Sequence, residues 1–97
     1  HVAGYEGVGR ISALGAGVSG WREGERVFLP VRFGAWQEES LAEAARLWRA
    51  PERLDAAQLA LVPINFSTAW LMLREIVRLE PGDWVLQNAA NSNVGYY

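Results

Sequence analysis

Glycine is unevenly placed along this 97-residue chain: eight of its ten glycines fall by residue 34, and none lies between 35 and 81. Glycine is used where a chain turns sharply or where two segments approach closely. The first third is therefore a region of turns, and the apolar residues between them say what is joined. Glu6 to Leu14 partly alternates, with Val8, Ile11 and Ala13 as its apolar set, and stops at Gly15-Ala16-Gly17. This predicts a strand. Arg22-Glu23-Gly24-Glu25 predicts a tight turn into a second strand, Arg26 to Leu29, stopped by Pro30. An extended stretch around Ala35 to Leu41 and a short strand at Leu47 to Arg49 complete a pattern that fits a small, irregular β-barrel. Trp36 and Trp48 are expected in its core.

From Leu54 the pattern changes. Asp55 is a good N-cap for a helix running to about Val62, which Pro63 is expected to close. A second helix is predicted from Phe66 to Leu79, where Ala69, Leu73, Ile76 and Val77 fall at helical spacing. Pro81-Gly82-Asp83 reads as a turn, and Trp84 to Gln87 as a short buried strand. A polar run, Asn88 to Asn93, then leads to Val94-Gly95. A lone strand of a parallel sheet is not stable by itself, so the chain is expected to be cut from a longer polypeptide at both ends. The expected class is α+β.

Composition removes several functions. All nine basic residues are Arg, and the net charge is −2. No basic patch stands out, so neither nucleic acid nor an anionic membrane surface is an expected partner. No apolar run reaches the ~18 residues of a membrane span. There is no Cys, and the one His is His1. Thiolate chemistry is therefore absent from these residues, and no metal site is expected. The Arg-only usage suggests a GC-rich bacterial genome, and a cytoplasmic location is expected.

Three groups of residues, in order, resemble one family. The first is Gly4-Tyr5-Glu6-Gly7-Val8-Gly9, with Ala13-Leu14-Gly15 and Val18 following. The second is Glu23-Gly24-Glu25-Arg26-Val27, and the third Leu79-Glu80-Pro81-Gly82-Asp83-Trp84-Val85 leading to Val94-Gly95. This order is similar to the medium-chain dehydrogenase/reductase superfamily. The resemblance implies a GroES-like catalytic domain over residues 1–62. It also implies a connecting helix and the first strand of a Rossmann cofactor domain over 63–97. Alcohol dehydrogenases of that superfamily carry a zinc-binding His where Tyr5 stands, so the chain resembles the zinc-free branch. Gln87-Asn88-Ala89-Ala90-Asn91-Ser92-Asn93-Val94-Gly95, with Asn65 and Thr68-Ala69 upstream, is most like the mitochondrial-type trans-2-enoyl thioester reductases. Two positions depart from that group: Asn93 stands where it has Gly, and Phe66 where it has Pro.

The resemblance implies NADPH as cofactor and a 2-enoyl thioester as substrate, in a homodimeric whole protein. The carried-over cofactor residues are Asn65, Thr68, Asn91, Ser92, Asn93, Val94 and Gly95. A pyrophosphate binds where backbone N–H groups converge at a helix start, and Gly95 would let that helix pack close to the strand. No catalytic residue is assigned, because the family's catalytic Tyr lies upstream and Tyr5 does not match it. The alternatives are an NADPH-dependent quinone or α,β-unsaturated carbonyl reductase and a non-catalytic GroES-like module. The isolated segment is expected to be inactive.

Each site residue also has a plain structural reading. Asn91-Ser92-Asn93 could be an ordinary polar turn. Asn65 could cap the second helix, and Thr68 could be helix surface. Glu6 could accept backbone N–H groups from its glycine-rich surroundings, and Tyr5 could simply pack.

Overall fold

The structure, a computed structural model, describes residues 2–97. The chain forms two compact units, one ending at Ala60 and one spanning Leu61–Tyr97.

In the first unit three short strands, β1 (Val8–Arg10), β2 (Arg26–Phe28) and β3 (Trp48–Arg49), form an antiparallel sheet in that order. Gly9 lies opposite Val27, and Phe28 faces both Val8 and Trp48 across the ladders. The Arg22–Glu25 turn forms as expected: the Glu25 N–H donates to the Arg22 carbonyl at 3.2 Å, and Gly24 takes φ 83. The Ile11 N–H then donates to the Glu25 carbonyl at 3.1 Å, and the Leu29 N–H to the Gly7 carbonyl at 2.9 Å, extending the pairing past both strand ends. Val27 and Ala50 are buried here, as is Leu59 from the following helix.

The first glycine motif has a packing cause. Gly4 has φ 104, and a Cβ there would stand 2.6 Å from the Ala35 nitrogen. Its carbonyl accepts from Gly34 N–H at 3.0 Å and Ala35 N–H at 3.1 Å, so residues 3–5 lie along 34–36 without forming a strand. The turn between them puts Arg32 at φ 65, an uncommon conformation for a residue with a side chain. Its guanidinium lies 5.5 Å from the Tyr5 ring centre.

Several expectations change here. Among the described residues the sheet is open rather than closed into a barrel. Ala35 to Leu41 forms no strand, because its N–H groups at 35–37 bond locally or to residues 3 and 4. Trp36 and Trp48 are 80% and 64% exposed, not core residues. Trp48 sits on a two-residue edge strand, and Trp36 on a segment outside the sheet. A single-turn 3-10 helix at Ala44–Arg46 had no distinct sequence cue.

The long helix begins as expected. Asp55 Oδ1 accepts from the Gln58 N–H at 3.0 Å, an N-cap bond worth ~1 kcal/mol. The helix does not stop at Pro63. It continues from Ala56 to Ile76, 21 residues, so the two expected helices are one. Proline has no N–H to donate and its ring presses on the carbonyl four residues back. The helix meets this by widening to π register over Val62–Phe66, then returning to α over Ser67–Trp70. A second widened stretch, Leu71–Ile76, precedes Val77, which turns extended at ψ 123. The joined helix is long and apolar enough, by length and composition alone, to cross a membrane. Pro63, which ordinarily ends a helix, hides this continuity in the sequence.

In the second unit, Trp84 to Gln87 follows the expected Pro81-Gly82 turn, but it is not a strand. Trp84 is 97% exposed and Leu86 fully so. Ladder pairing needs a neighbour, and none of the described residues lies alongside this run as one. The chain ends in a short helix, Asn93–Tyr96. It packs against the Val62–Trp70 part of the long helix, with the Tyr97 and Phe66 rings edge-to-face at 5.9 Å.

Candidate functional site

The polar run between Gln87 and Gly95 folds into a tight loop. Ala89 takes the left-handed conformation, φ 49, and its carbonyl accepts from the Ser92 N–H at 2.9 Å. An L-residue there costs roughly 1–2 kcal/mol. The strain falls on Ala89, whereas Asn93, which stands where the resembled group has Gly, is the first helical residue. Ser92 is the N-cap, and its Oγ accepts from the Gly95 N–H at 3.2 Å. A hydroxyl that accepts still has its own proton to donate. The first N–H groups of this helix have no carbonyl within it, as at any helix start.

Gly95 leaves no room for a side chain. A Cβ there would lie 2.6 Å from the Ala90 carbonyl oxygen and 2.7 Å from Gln87 Nε2. A close approach does occur at Gly95, but its partners are the loop itself and the Gln87 side chain rather than a strand. Gln87 was not among the sequence candidates; its side chain under Gly95 becomes visible only in the folded loop.

Asn65 and Thr68 lie in the middle of the long helix, not at a helix start. Asn65 therefore caps nothing. Its Nδ2 donates to the Leu61 carbonyl at 2.8 Å, and Thr68 Oγ1 donates to the Ile64 carbonyl at 2.7 Å. Both bonds reach four residues back, the habit of polar side chains inside helices. Both side chains are half-buried. The terminal helix packs on this same stretch, so one small body holds Asn65, Thr68 and the 91–95 loop.

The loop fits a doubly negative group. No acidic residue occurs from Gln87 to Tyr97, and Asn91, Ser92 and Asn93 are exposed. The side chains at 91 to 93 can donate without carrying charge, and Gly95 brings the helix start tight against them.

The first unit gives Glu6 a different setting from the one expected. Its Oε2 is buried without a hydrogen-bond partner, so the orphaned oxygen accepts none of the nearby backbone N–H groups. Among the described residues no group of three or more His, Cys, Asp or Glu side chains is placed to hold a metal ion.

No family model matches the chain. It is 38% identical over 96 residues to the mitochondrial enoyl-(acyl-carrier-protein) reductase of Dictyostelium discoideum, covering 97% of this chain and 27% of that protein. The chain is homologous to enoyl reductases of the medium-chain dehydrogenase/reductase superfamily. The human mitochondrial enoyl-(acyl-carrier-protein) reductase is 36% identical over 96 residues, 97% of this chain and 26% of its own length. The synaptic vesicle membrane protein VAT-1 homolog of Rattus norvegicus is 37% identical over 92 residues, 95% of this chain and 23% of its own length. Among solved structures, the CurF ER cyclopropanase from the curacin A biosynthetic pathway superposes with a TM-score of 0.83 at 31% identity. That match covers 96% of this chain and 28% of the other. The chain thus spans about a quarter of the length of the relatives it matches.

Proposed function

We propose that the full-length protein reduces the carbon–carbon double bond of 2-enoyl thioesters with NADPH, without zinc. One observation carries this reading: the Gln87–Gly95 loop, which resembles that of the enoyl reductases, folds into a capped, acid-free turn whose Gly95 admits no side chain. Asn91, Ser92, Asn93, Val94 and Gly95 would hold the pyrophosphate, with Asn65 and Thr68 on the neighbouring helix. The bound nucleotide supplies the hydride. The chain's part is to hold it: loop donors neutralise the phosphates, and the close-packed helix start fixes their depth. Tyr5, standing where the zinc-binding branch has His, supports a metal-free site. The reading takes residues 63–97 as the start of the cofactor domain and residues 1–62 as part of the GroES-like domain. It places the protein as a cytoplasmic homodimer, with the 97 residues alone inactive.

The test follows NADPH absorbance with the full-length protein, offering a short 2-enoyl-CoA or a quinone, each with and without EDTA. Oxidation with the enoyl-CoA alone, unchanged by EDTA, is the expected result. Turnover with the quinone alone would move the protein to the carbonyl- and quinone-reducing branch. Loss of activity in EDTA would overturn the zinc-free reading.

A further inference from the structure

Arg32 stands where glycine is the easier choice. The Pro30 carbonyl accepts from the Phe33 N–H at 3.1 Å, closing a turn in which Arg32 is the third residue, at φ 65. A positive φ at that place favours glycine, because a side chain there is strained. No ion pair holds Arg32 in position. Among the described residues its guanidinium has no carboxylate within ion-pairing distance, and Glu6, next to Tyr5 in the chain, is not its partner. Arg32 is tied to Tyr5 instead. Its N–H donates to the Tyr5 carbonyl at 2.8 Å, and its guanidinium lies 5.5 Å from the Tyr5 ring centre. Both side chains are exposed, and an exposed cation over a ring is worth less than the strain costs. Stability alone therefore does not account for Arg at this turn, and its positive charge is left uncompensated.

We propose that the Arg32 guanidinium, held over Tyr5, donates to the thioester oxygen of the substrate and supplies there the positive charge that zinc supplies in the metal-dependent branch. This rests on the enoyl reductase reading above and adds to it the residue that takes the metal's part. Tyr5 stands at the position of a zinc-binding His, and a catalytic zinc polarises the carbonyl of its substrate. Beside Tyr5 this chain places a cation that stays protonated at any working pH and has N–H groups to donate. The reaction calls for such a group. Hydride adds to the β-carbon of the enoyl chain, the electron pair of the double bond shifts toward the carbonyl, and negative charge gathers on the thioester oxygen. A proton from water then reaches the α-carbon and the carbonyl re-forms, leaving the saturated thioester and the oxidised nucleotide. A fixed guanidinium at that oxygen favours the charged species over the neutral substrate, so it raises the rate more than it tightens binding.

The experiment uses the full-length protein with NADPH and crotonyl-CoA. Arg32→Gly removes the charge and the strain together. Its kcat is expected to fall roughly a hundredfold, the effect of losing one donor to a developing oxyanion, while KM changes little. NADPH affinity, read from quenching of Trp fluorescence, should be unchanged, and the melting temperature should not fall, since glycine accepts a positive φ freely. Guanidinium chloride, added far below denaturing concentration, should restore part of the kcat of Arg32→Gly and do nothing for the unmodified protein. A lower melting temperature with no rescue is what a structural role for Arg32 predicts, and it overturns the proposal. A raised KM at unchanged kcat overturns it too, because Arg32 would then only bind. Arg32→Lys keeps the charge without the planar fork, and Arg32→Gln keeps neither, so the Lys variant should be the faster of the two. Equal kcat in these two variants overturns the proposal even if Arg32→Gly does not fold. No oxidation of NADPH by the unmodified protein would instead remove the reductase reading, and the assignment of Arg32 with it.

Discussion

Two short apolar runs of similar make-up meet different fates. Val27, within Arg26-Val27-Phe28-Leu29, is 3% exposed, whereas Leu86, within Trp84-Val85-Leu86, is fully exposed. Each follows a glycine turn and each reads as a strand. The difference is where the partner comes from. Val27 pairs with β1, which a turn and a modest loop bring back antiparallel, and with β3 on its other edge. A parallel strand needs a crossover of a dozen or more residues before its neighbour arrives. The contrast teaches that the first unit's strands are specified locally, while the 84–87 run depends on chain beyond its own neighbourhood.

The largest effect should come from the one place in the second unit where packing is already tight. Gly95→Ala forces a methyl to within 2.6 Å of the Ala90 carbonyl, a backbone atom that cannot swing aside. Overpacking of this kind costs about 1–3 kcal/mol, and the loop must shift to relieve it. In the full-length protein we expect at least a tenfold loss of NADPH affinity with a smaller loss of melting temperature, since a misplacement near 1 Å is costly in a binding constellation. Unchanged affinity would mean that the loop does not hold the nucleotide.

Next in size are truncations that test the comparison directly. Val27→Ala should cost about 2 kcal/mol wherever the first unit is folded, read from the urea midpoint. Leu86→Ala should cost at least as much in the full-length protein, where a sheet can cover it, and within about 0.5 kcal/mol in residues 1–97 alone. Hydrogen exchange gives the same contrast without mutation: in residues 1–97, the Val27 amide is protected and the Val85 and Leu86 amides are not. Equal protection of the two runs would show that the 84–87 strand forms without a partner.

What the sequence showed well was punctuation. The Arg22–Glu25 turn, the start of β2 at Arg26, the Asp55 cap and the 81–83 turn are set by residues adjacent in the chain, and all appear where expected, with β2 ending one residue short at Phe28. Gly95 was legible as a close approach, though not the Gln87 side chain beneath it. The failures share a cause: each depended on non-local contacts or on a tolerated exception. Trp36 and Trp48 read as core because large aromatic residues need cover, but cover comes from elements that no period describes. Pro63 read as a stop because proline opposes the α register; a widened turn escapes that rule. Asn65 read as a cap only because Pro63 had been made a boundary.

The helix start offers a smaller, cleaner test. Asp55→Ala removes the acceptor of the Gln58 N–H and should destabilise the first unit by ~1 kcal/mol, while Asp55→Asn retains most of the loss-free value. Because the α register is interrupted at the widened turn Val62–Phe66, only the amides up to about Ala60 should exchange faster in the Ala variant. Those from Ser67 to Trp70, buttressed by the terminal helix, should not. Equal acceleration along the whole helix would show that the widened turn transmits fraying instead of interrupting it.

The smallest effect lies in the ion pairs that tie the sheet's edge together. Glu52 accepts from Arg10 Nη2 at 2.8 Å and Nη1 at 3.2 Å, and from the Arg26 N–H at 3.1 Å, so one carboxylate links β1 and β2 to the segment after β3. The hydrogen bond from Arg10 holds the Glu52 carboxyl below its usual range, and slight desolvation opposes it; the same pair raises the Arg10 guanidinium. Both side chains are more than half exposed, so water and salt screen the attraction and its worth is small. The sign is fixed all the same. The folded state binds the Glu52 proton more weakly than the unfolded chain does, so the contribution is complete above the carboxyl's ordinary value of 4.5. It fades as the pH falls through the lower, folded one. The stability difference between the unmodified protein and Glu52→Gln should thus be flat from neutral pH down to the ordinary carboxylate range, shrink below it, and diminish in 1 M salt. A difference that grew on acidification would show that the carboxylate is held against its charge. Arg10 would then be packing on Glu52 through its stem rather than pairing with it.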